Sequence, residues 1–182
     1  VGLGGYAGQI YKTTDGGATW WVMDAGIPRE RETYTGVVTA LAIDPDNSLI
    51  LYAGVRDYGV FKTIDGGAIW TPLNDGVPSY REEYQGATAL AVDVLHDNRP
   101  AGIIDGDYYV FGVDSRWLLV STGNDINSSY DHAHLYFHPT DPLVIYSAGE
   151  QLTRSGDGGI TWLSITSDSN SWGHPDMVFH RS

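Results

Sequence analysis

The chain has 182 residues, of which 42% are hydrophobic and only 18% charged, and its formal net charge is −13. This length suffices for one domain with its own core. The acidic balance argues against nucleic acid as a partner, because neutralising phosphates requires a basic surface. No apolar run reaches the roughly 18 residues of a membrane-spanning helix, so membrane insertion is not expected. Cysteine is absent, which excludes disulfides and thiolate metal sites, and we expect no cofactor.

Turn-forming and aromatic residues dominate the composition. There are 23 Gly, 12 Tyr and 6 Trp. Many turns together with many aromatic side chains favour an all-β protein.

One phrase occurs three times along the chain, at residues 13–20, 63–70 and 155–162. Each copy reads hydroxyl residue, any residue, Asp, Gly, Gly, two further residues, Trp. Asp-Gly between alternating residues is a strong hairpin signal, and the Asp carboxylate can accept hydrogen bonds from nearby backbone N–H groups. The Trp offers a large apolar surface to a neighbouring unit. We therefore predict structural roles, with all three tryptophans buried, for Asp15, Trp20, Asp65, Trp70, Asp157 and Trp162.

A fourth, degenerate copy is predicted between the second and third. The stretch "VFGVDSRWLL" fits if Asp114 and Trp117 belong to a shortened hairpin. Upstream of the later turns, "TALAIDPDNSLILYAGV", "TALAVDVLHDNRPAGIIDG" and "HLYFHPTDPLVIYSAGE" each predict two apolar strands joined by a polar turn.

Each repeat therefore contains four short strands, which we call A to D, in about 45 residues. This pattern predicts a β-propeller of four-stranded antiparallel blades. The expected repeats are a partial blade at 1–36, three blades at 37–86, 87–132 and 133–173, and a last strand at 174–182.

The recurring phrase resembles the Asp-box, or bacterial neuraminidase repeat. That repeat occurs in sialidase-type, sortilin-type, endo-xyloglucanase-type and photosystem-assembly-factor propellers. The resemblance covers essentially the whole chain and implies the propeller fold. It implies no single function, because these families use one scaffold for unrelated purposes.

The two ends of the chain allow two architectures. The chain opens in a B strand, "VGLGG", and its last strand, around residues 177–179, reads as an A strand. That strand could join the first blade and close a four-bladed ring, which would cover an exposed sheet edge. In the alternative, the chain is part of a larger propeller and could self-associate.

Ligand binding is expected on the face that carries the D–A loops and the B–C turns. Aromatic side chains beside carboxylates there suit the stacking and hydrogen bonding of sugars, or a cationic peptide. The candidate ligand-binding residues are Tyr34, Tyr58, Tyr84, Tyr108, Tyr130, Glu150 and Trp172.

Catalysis is the competing interpretation. Asp57 and Asp107 are expected in matching B–C turns of adjacent blades, and glycoside hydrolysis needs two carboxylates about 5–9.5 Å apart. The endo-xyloglucanase resemblance implies a catalytic Asp in a B–C turn such as that of Asp57. That family, however, places its two carboxylates on separate propellers, whereas this chain has one. The arginine motif of sialidases is not found.

A metal site is a weaker candidate. His132 and His134 point to the same side of a strand, and register alignment matches them with His174 and Asp176. Imidazole and carboxylate groups could hold a divalent cation, but a polar, water-filled channel mouth is the favoured explanation.

The sequence thus predicts a non-catalytic binding or structural module, secreted or on the cell surface, whose ligand is a glycan or a peptide. The alternative is a glycoside hydrolase, or a fragment of one, that uses Asp57 and Asp107.

Overall fold

A computed structural model describes residues 9–28, 36–77, 87–123, 133–149 and 151–166, together with the backbone of 2–4. Within these ranges the protein is all-β, and its fifteen strands form four antiparallel sheets. No helix long and apolar enough to span a membrane is found in this part of the chain.

Each sheet follows the chain order without a crossover. The first blade holds β1 (Gly2–Gly4), β2 (Gln9–Lys12) and β3 (Trp21–Val22), which correspond to B, C and D. The second holds β4 (Val38–Ile43), β5 (Leu51–Val55), β6 (Gly59–Thr63) and β7 (Thr71–Pro72). The third holds β8 (Ala87–Asp93), β9 (Arg99–Ile104), β10 (Asp107–Phe111) and β11 (Trp117–Ser121). The fourth holds β12 (His134–Phe137), β13 (Ile145–Ala148), β14 (Leu152–Ser155) and β15 (Leu163–Ser164). The propeller prediction is confirmed; the first sheet has three described strands and each of the others has four.

The hydrophobic core consists of layers between consecutive blades. In β5, Leu51, Ala53 and Val55 pack with Ile10 of the first blade. Tyr52, from the opposite side of the same strand, packs with residues of the third blade such as Ile104. Because side chains alternate along a strand, each central strand contributes to two layers. A third layer joins the third and fourth blades around Tyr108 and Trp162.

Tryptophan side chains connect the second, third and fourth blades to the blade before each. The Nε1–H of Trp70 donates to the Met23 carbonyl at 2.9 Å, and its backbone N–H donates to the Ala25 carbonyl. Trp117 repeats both bonds one blade later, with the carbonyls of Leu73 and Asp75. The degenerate hairpin has therefore lost its Asp-Gly-Gly turn and kept its tryptophan.

The prediction that all three repeat tryptophans are buried is wrong for Trp20. Trp70 and Trp162 are 2% and 5% exposed, whereas Trp20 is 49% exposed. Its Nε1–H donates to the Gly17 carbonyl within its own hairpin. The reason is positional: Trp20 belongs to the first blade, and no described strand precedes that blade to cover the indole.

The expected closing strand at 174–182 lies outside the described residues. Ring closure therefore stays a prediction.

Candidate functional site

The antiparallel order places the connections of each blade on two opposite faces. A–B and C–D turns share one face, and B–C turns share the other with the D–A connections. We call the first the hairpin face and the second the loop face. The loop face was predicted to bind the ligand.

On the loop face, Asp57 lies in the middle of the three-residue turn that joins β5 and β6. Its backbone is left-handed, with φ of 65°, and the residue is half-buried. The backbone N–H of Tyr58 donates to the Val55 carbonyl at 3.0 Å and closes the turn. Asp57 thus occupies the tip of a tight B–C turn, as the sequence predicts.

Asp107 does not occupy the matching position, so the predicted equivalence with Asp57 is wrong. It is the first residue of β10 and pairs with Ile104, just as Gly59 begins β6 and pairs with Val55. The third-blade turn contains only residues 105 and 106, and its left-handed aspartate is Asp105, with φ of 53°. Because this turn is one residue shorter than that of the second blade, Asp107 does not align with Asp57.

The carboxylate of Asp107 is also engaged in a structural contact. Its Oδ1 accepts a hydrogen bond of 2.7 Å from the backbone N–H of Gly123, two residues after strand D. In the second blade, Asn74 makes the equivalent connection in the opposite direction, because its side chain bonds the Tyr58 carbonyl and the Val60 N–H. The sequence analysis did not identify Asn74. The signal for it was a polar residue at the same position after strand D in two blades, Asp24 in the first and Asn74 in the second.

Tyr108 is buried rather than exposed on the loop face, and this part of the predicted site is corrected. The residue is 1% exposed, and its ring contacts Trp162 edge-to-face with a centroid separation of 5.5 Å. The register of β10 directs its side chain into the layer between the third and fourth blades. Burial, and then the charge of Asp93, raises the pKa of the Tyr108 hydroxyl. Tyr58 is half-buried and packs at the edge of the layer between the first and second blades.

Most of the remaining candidates lie outside the described residues and stay predictions. These are Tyr34, Tyr84, Tyr130, Glu150 and Trp172 for ligand binding, and His132, His174 and Asp176 for a metal. His134 is described and lies exposed at the start of β12, with its ring 6.1 Å from that of Tyr136. No group of three or more potential metal ligands occurs among the residues that the structure places.

The hairpin face carries the three Asp-Gly-Gly turns. Asp157 Oδ1 accepts hydrogen bonds from the Thr161 N–H at 2.9 Å and the Ser155 hydroxyl at 2.8 Å, and Oδ2 accepts from the Thr161 hydroxyl at 2.6 Å. Asp15 makes the same set with Thr19 and Thr13. The threonine side-chain bonds lower the pKa of both carboxyls to about 2. These aspartates are ionised turn residues, which suits the predicted structural role and not that of a general acid.

The second turn differs because it has Ile69 at the position of Thr19 and Thr161. Asp65 accepts from the Thr63 hydroxyl at 2.6 Å and the Ile69 N–H at 3.1 Å. These bonds, led by that from Thr63, also lower the pKa of its carboxyl.

These shifts predict a pH dependence of stability. A carboxyl whose pKa is lower in the folded chain contributes stability above its ordinary value of 3.8, and that contribution disappears as the pH falls towards about 2. In thermal unfolding followed by circular dichroism, Asp157→Asn should have a lower Tm than the parent at pH 6. The difference should shrink between pH 4 and pH 2. A difference that stays constant over this range would contradict the assignment.

Comparisons with known proteins support the fold. No family model matches the chain, and no curated protein is similar to it in sequence. Among solved structures, an ancestral GH74 enzyme matches with a TM-score of 0.64 and 18% identity, over 86% of this chain and 21% of that one. YCF48 bound to D1 peptide matches with a TM-score of 0.54 and 22% identity, over 87% and 47% of the two chains. The GH74 xyloglucanase from Xanthomonas campestris matches with a TM-score of 0.57 and 16% identity, over 87% and 27%.

The chain thus spans between about a fifth and a half of the structures that it resembles. At these identities the likeness concerns the fold alone. The predicted resemblance to xyloglucanase-type and photosystem-assembly-factor-type propellers is confirmed at that level.

Proposed function

We propose that this chain is a non-catalytic binding module that holds a glycan or a peptide on its loop face. The observation that carries the proposal is the position in which the structure places the two candidate carboxylates. Asp57 lies at the tip of its turn, whereas Asp107 is the first residue of β10, and the Asp107 carboxylate is bonded to the Gly123 N–H. Glycoside hydrolysis requires two carboxylates on opposite sides of the glycosidic bond. Because Asp57 and Asp107 do not occupy matching positions, this requirement favours binding without catalysis.

The structural neighbours are compatible with both binding and hydrolysis. YCF48, one of the matching propellers, was solved with a bound peptide, and two others are GH74 enzymes. A glycoside hydrolase, or a fragment of one, is therefore the alternative function. Incubation with xyloglucan separates the two: binding without release of reducing ends supports the module, whereas release of reducing ends that is lost in Asp57→Asn supports the hydrolase.

The ligand chemistry follows from charge and from the loop composition. Asp57 contributes negative charge to the loop face, and the chain as a whole is strongly acidic. Such a surface repels anions such as phosphate and sialic acid, and it favours neutral sugars or cationic peptides. A location outside the cell, where such ligands would be met, is part of the same proposal.

Salt distinguishes the two ligand classes. Binding of a cationic peptide should weaken markedly between low and physiological ionic strength, because salt screens exposed charges. Binding of a neutral xyloglucan oligosaccharide should barely change. Isothermal titration with tetralysine and with xyloglucan oligosaccharides measures both. If neither probe binds at either salt concentration, the binding module is contradicted for these two ligand classes.

Asp57→Asn tests whether the loop face is the binding face. Asparagine tolerates the left-handed backbone, so the substitution removes one charge with little strain. We expect tetralysine to bind about two- to five-fold more weakly, the size expected for a partly exposed ion pair. Asp97→Asn is the matched control, because Asp97 is also a left-handed turn aspartate, with φ of 58°, but lies on the hairpin face. Equal effects of the two variants would contradict the assignment of the face.

A further inference from the structure

The first and the fourth blade each present apolar side chains at positions that the other blades bury. In the first blade these are Tyr11 and Trp20, which we call the leading surface. In the fourth blade they are Leu152 and Ile165, which we call the trailing surface. Both surfaces belong to the sides by which blades pack on one another, and neither belongs to the loop face.

The leading surface has the residues with which a blade packs on the blade before it. In the second blade, Phe61 and Trp70 are buried against Ile10 of the first blade. Tyr11 occupies the position of Phe61, because both pair with the second residue of strand D. Trp20 occupies the position of Trp70 in the repeated phrase. Tyr11 is nevertheless only half-buried and Trp20 is exposed, because no strand among the described residues lies in front of the first blade.

The indole of Trp20 is already oriented for a contact with another blade. Its Nε1–H donates to the Gly17 carbonyl at 3.1 Å, just as the Nε1–H of Trp162 donates to the Gly159 carbonyl at 3.0 Å. In this orientation Trp162 packs on the third blade and is buried. Trp20 therefore needs only a blade in front of it to make the same contact.

The trailing surface has the residues on which a following blade packs. The backbone N–H of the residue after strand D bonds a strand C carbonyl in three blades, which joins Met23 to Ile10, Leu73 to Val60 and Ile165 to Leu152. The carbonyls of Met23 and Leu73 each accept the indole N–H of the next blade's tryptophan, and their strand C partners are buried. In the fourth blade Leu152 is half-buried and Ile165 is 50% exposed. The Ile165 carbonyl therefore holds the place of the indole acceptor.

The two surfaces are complementary, because Trp20 offers an indole N–H and Ile165 offers the matching carbonyl. Among the described residues, the core layers join consecutive blades, and none joins the fourth blade to the first. The chain spans 47% of the YCF48 propeller, so two copies together have about the length of one whole propeller. The partner that fits both surfaces is therefore a second copy of this chain.

We propose that two copies of this chain join head to tail into one closed ring. The leading surface of each copy packs on the trailing surface of the other, and the Trp20 Nε1–H donates to the Ile165 carbonyl of the other copy. Head-to-tail contacts of this kind form a ring when the rotation between the copies closes. The ring has eight blades, twice the four of one chain, which lies within the usual range of propellers. Its two-fold axis places both loop faces on the same side, so Asp57 occurs twice around one mouth.

Sedimentation velocity of the whole chain tests the ring. We expect a dimer at about 100 μM protein, given a Kd on the order of 10 μM. Below about 1 μM the chain should be monomeric, so unfolding measured there reports Trp20 in its exposed state. A parent that is monomeric at the higher concentration overturns the proposal and leaves the predicted closing strand at 174–182 as the segment that covers Trp20.

Two substitutions distinguish the head-to-tail ring from other dimers. Trp20→Asp alters the leading surface and Ile165→Asp alters the trailing surface. Because a two-fold ring uses each contact twice, either substitution should raise the Kd of the dimer by at least about ten-fold. A dimer of two leading surfaces would survive Ile165→Asp, and a dimer of two trailing surfaces would survive Trp20→Asp. Survival of the dimer in either variant overturns the proposal. If one variant does not fold, as judged by circular dichroism, the other decides.

Trp21→Asp and Leu163→Asp are the matched controls. Each of these residues is the first of strand D in the same blade as its test residue, and they are 65% and 70% exposed. The equivalent Thr71 is exposed although its blade has a neighbour on both sides, so this position lies outside the contact. Both controls should dimerise as the parent does, and loss of the dimer in them would contradict the proposed surfaces. Neither surface contains a loop-face residue, so this test and that of ligand binding can fail independently.

Discussion

Trp70→Ala should lower the free energy of unfolding by about 3–5 kcal/mol, the usual cost of removing a large buried aromatic side chain. Trp70 is 2% exposed, and its indole N–H is bonded to the Met23 carbonyl of the preceding blade. The substitution leaves a cavity between the first two blades and an unpaired carbonyl. The cavity and the unpaired carbonyl both destabilise the interface between the first and second blades.

Trp20→Ala provides the matched comparison at the same position of the repeat. Trp20 is 49% exposed and bonds only within its own hairpin, so the cost should be about 1 kcal/mol or less. Urea denaturation followed by circular dichroism gives both free energies. Equal losses in the two variants would mean that Trp20 is covered in solution, and would favour a ring in which another blade packs on the first.

The second large effect concerns the glycine that follows strand D. In Gly76→Ala the new Cβ would lie 2.1 Å from the Trp117 carbonyl oxygen, and φ at this position is +87°. The adjacent Asp75 carbonyl accepts the Trp117 N–H, so the backbones of two blades meet here with no room for a side chain. We expect a loss of at least about 3 kcal/mol, of which left-handed strain contributes about 1–2 kcal/mol.

Gly16→Ala separates strain from steric conflict. Gly16 has a similar φ of +71°, but a Cβ there would meet no atom within 4 Å. Only the strain of about 1–2 kcal/mol should appear. The comparison uses chemical denaturation of both variants under one set of conditions. A Gly76→Ala variant no less stable than Gly16→Ala would show that the blades can separate at this contact without cost.

Local chemistry explains how much of the fold could be predicted. Asp-Gly turns and period-two alternation are properties of neighbouring residues, so the hairpin at Asp65 and the strands around it could be read directly. The shortened hairpin ending at Trp117 was recognisable because its tryptophan and the flanking apolar pairs remained. Because the blade recurs along the chain, the local signals also predict the overall fold: each recurring blade must bury its faces against its neighbours.

The site depended on tertiary features that no local pattern encodes. Trp20 and Trp70 have the same hairpin phrase, but only Trp70 has a described blade in front of it, so burial is decided by the neighbour. Asp57 and Asp107 look equivalent in an alignment, yet a turn shorter by one residue moves Asp107 into a strand. A shift of one residue also changes the face of the sheet to which a side chain points.

Strand pairing decides a further correspondence. At one register position the second blade pairs Tyr52 with Lys62, whereas the third blade pairs Ala101 with Val110. The equivalence of these pairs appears only when the blades are aligned by register. Repeated turn chemistry therefore made the blades predictable from the sequence, whereas burial and ligand contact depend on surfaces assembled from different blades, whose fit no single repeat contains.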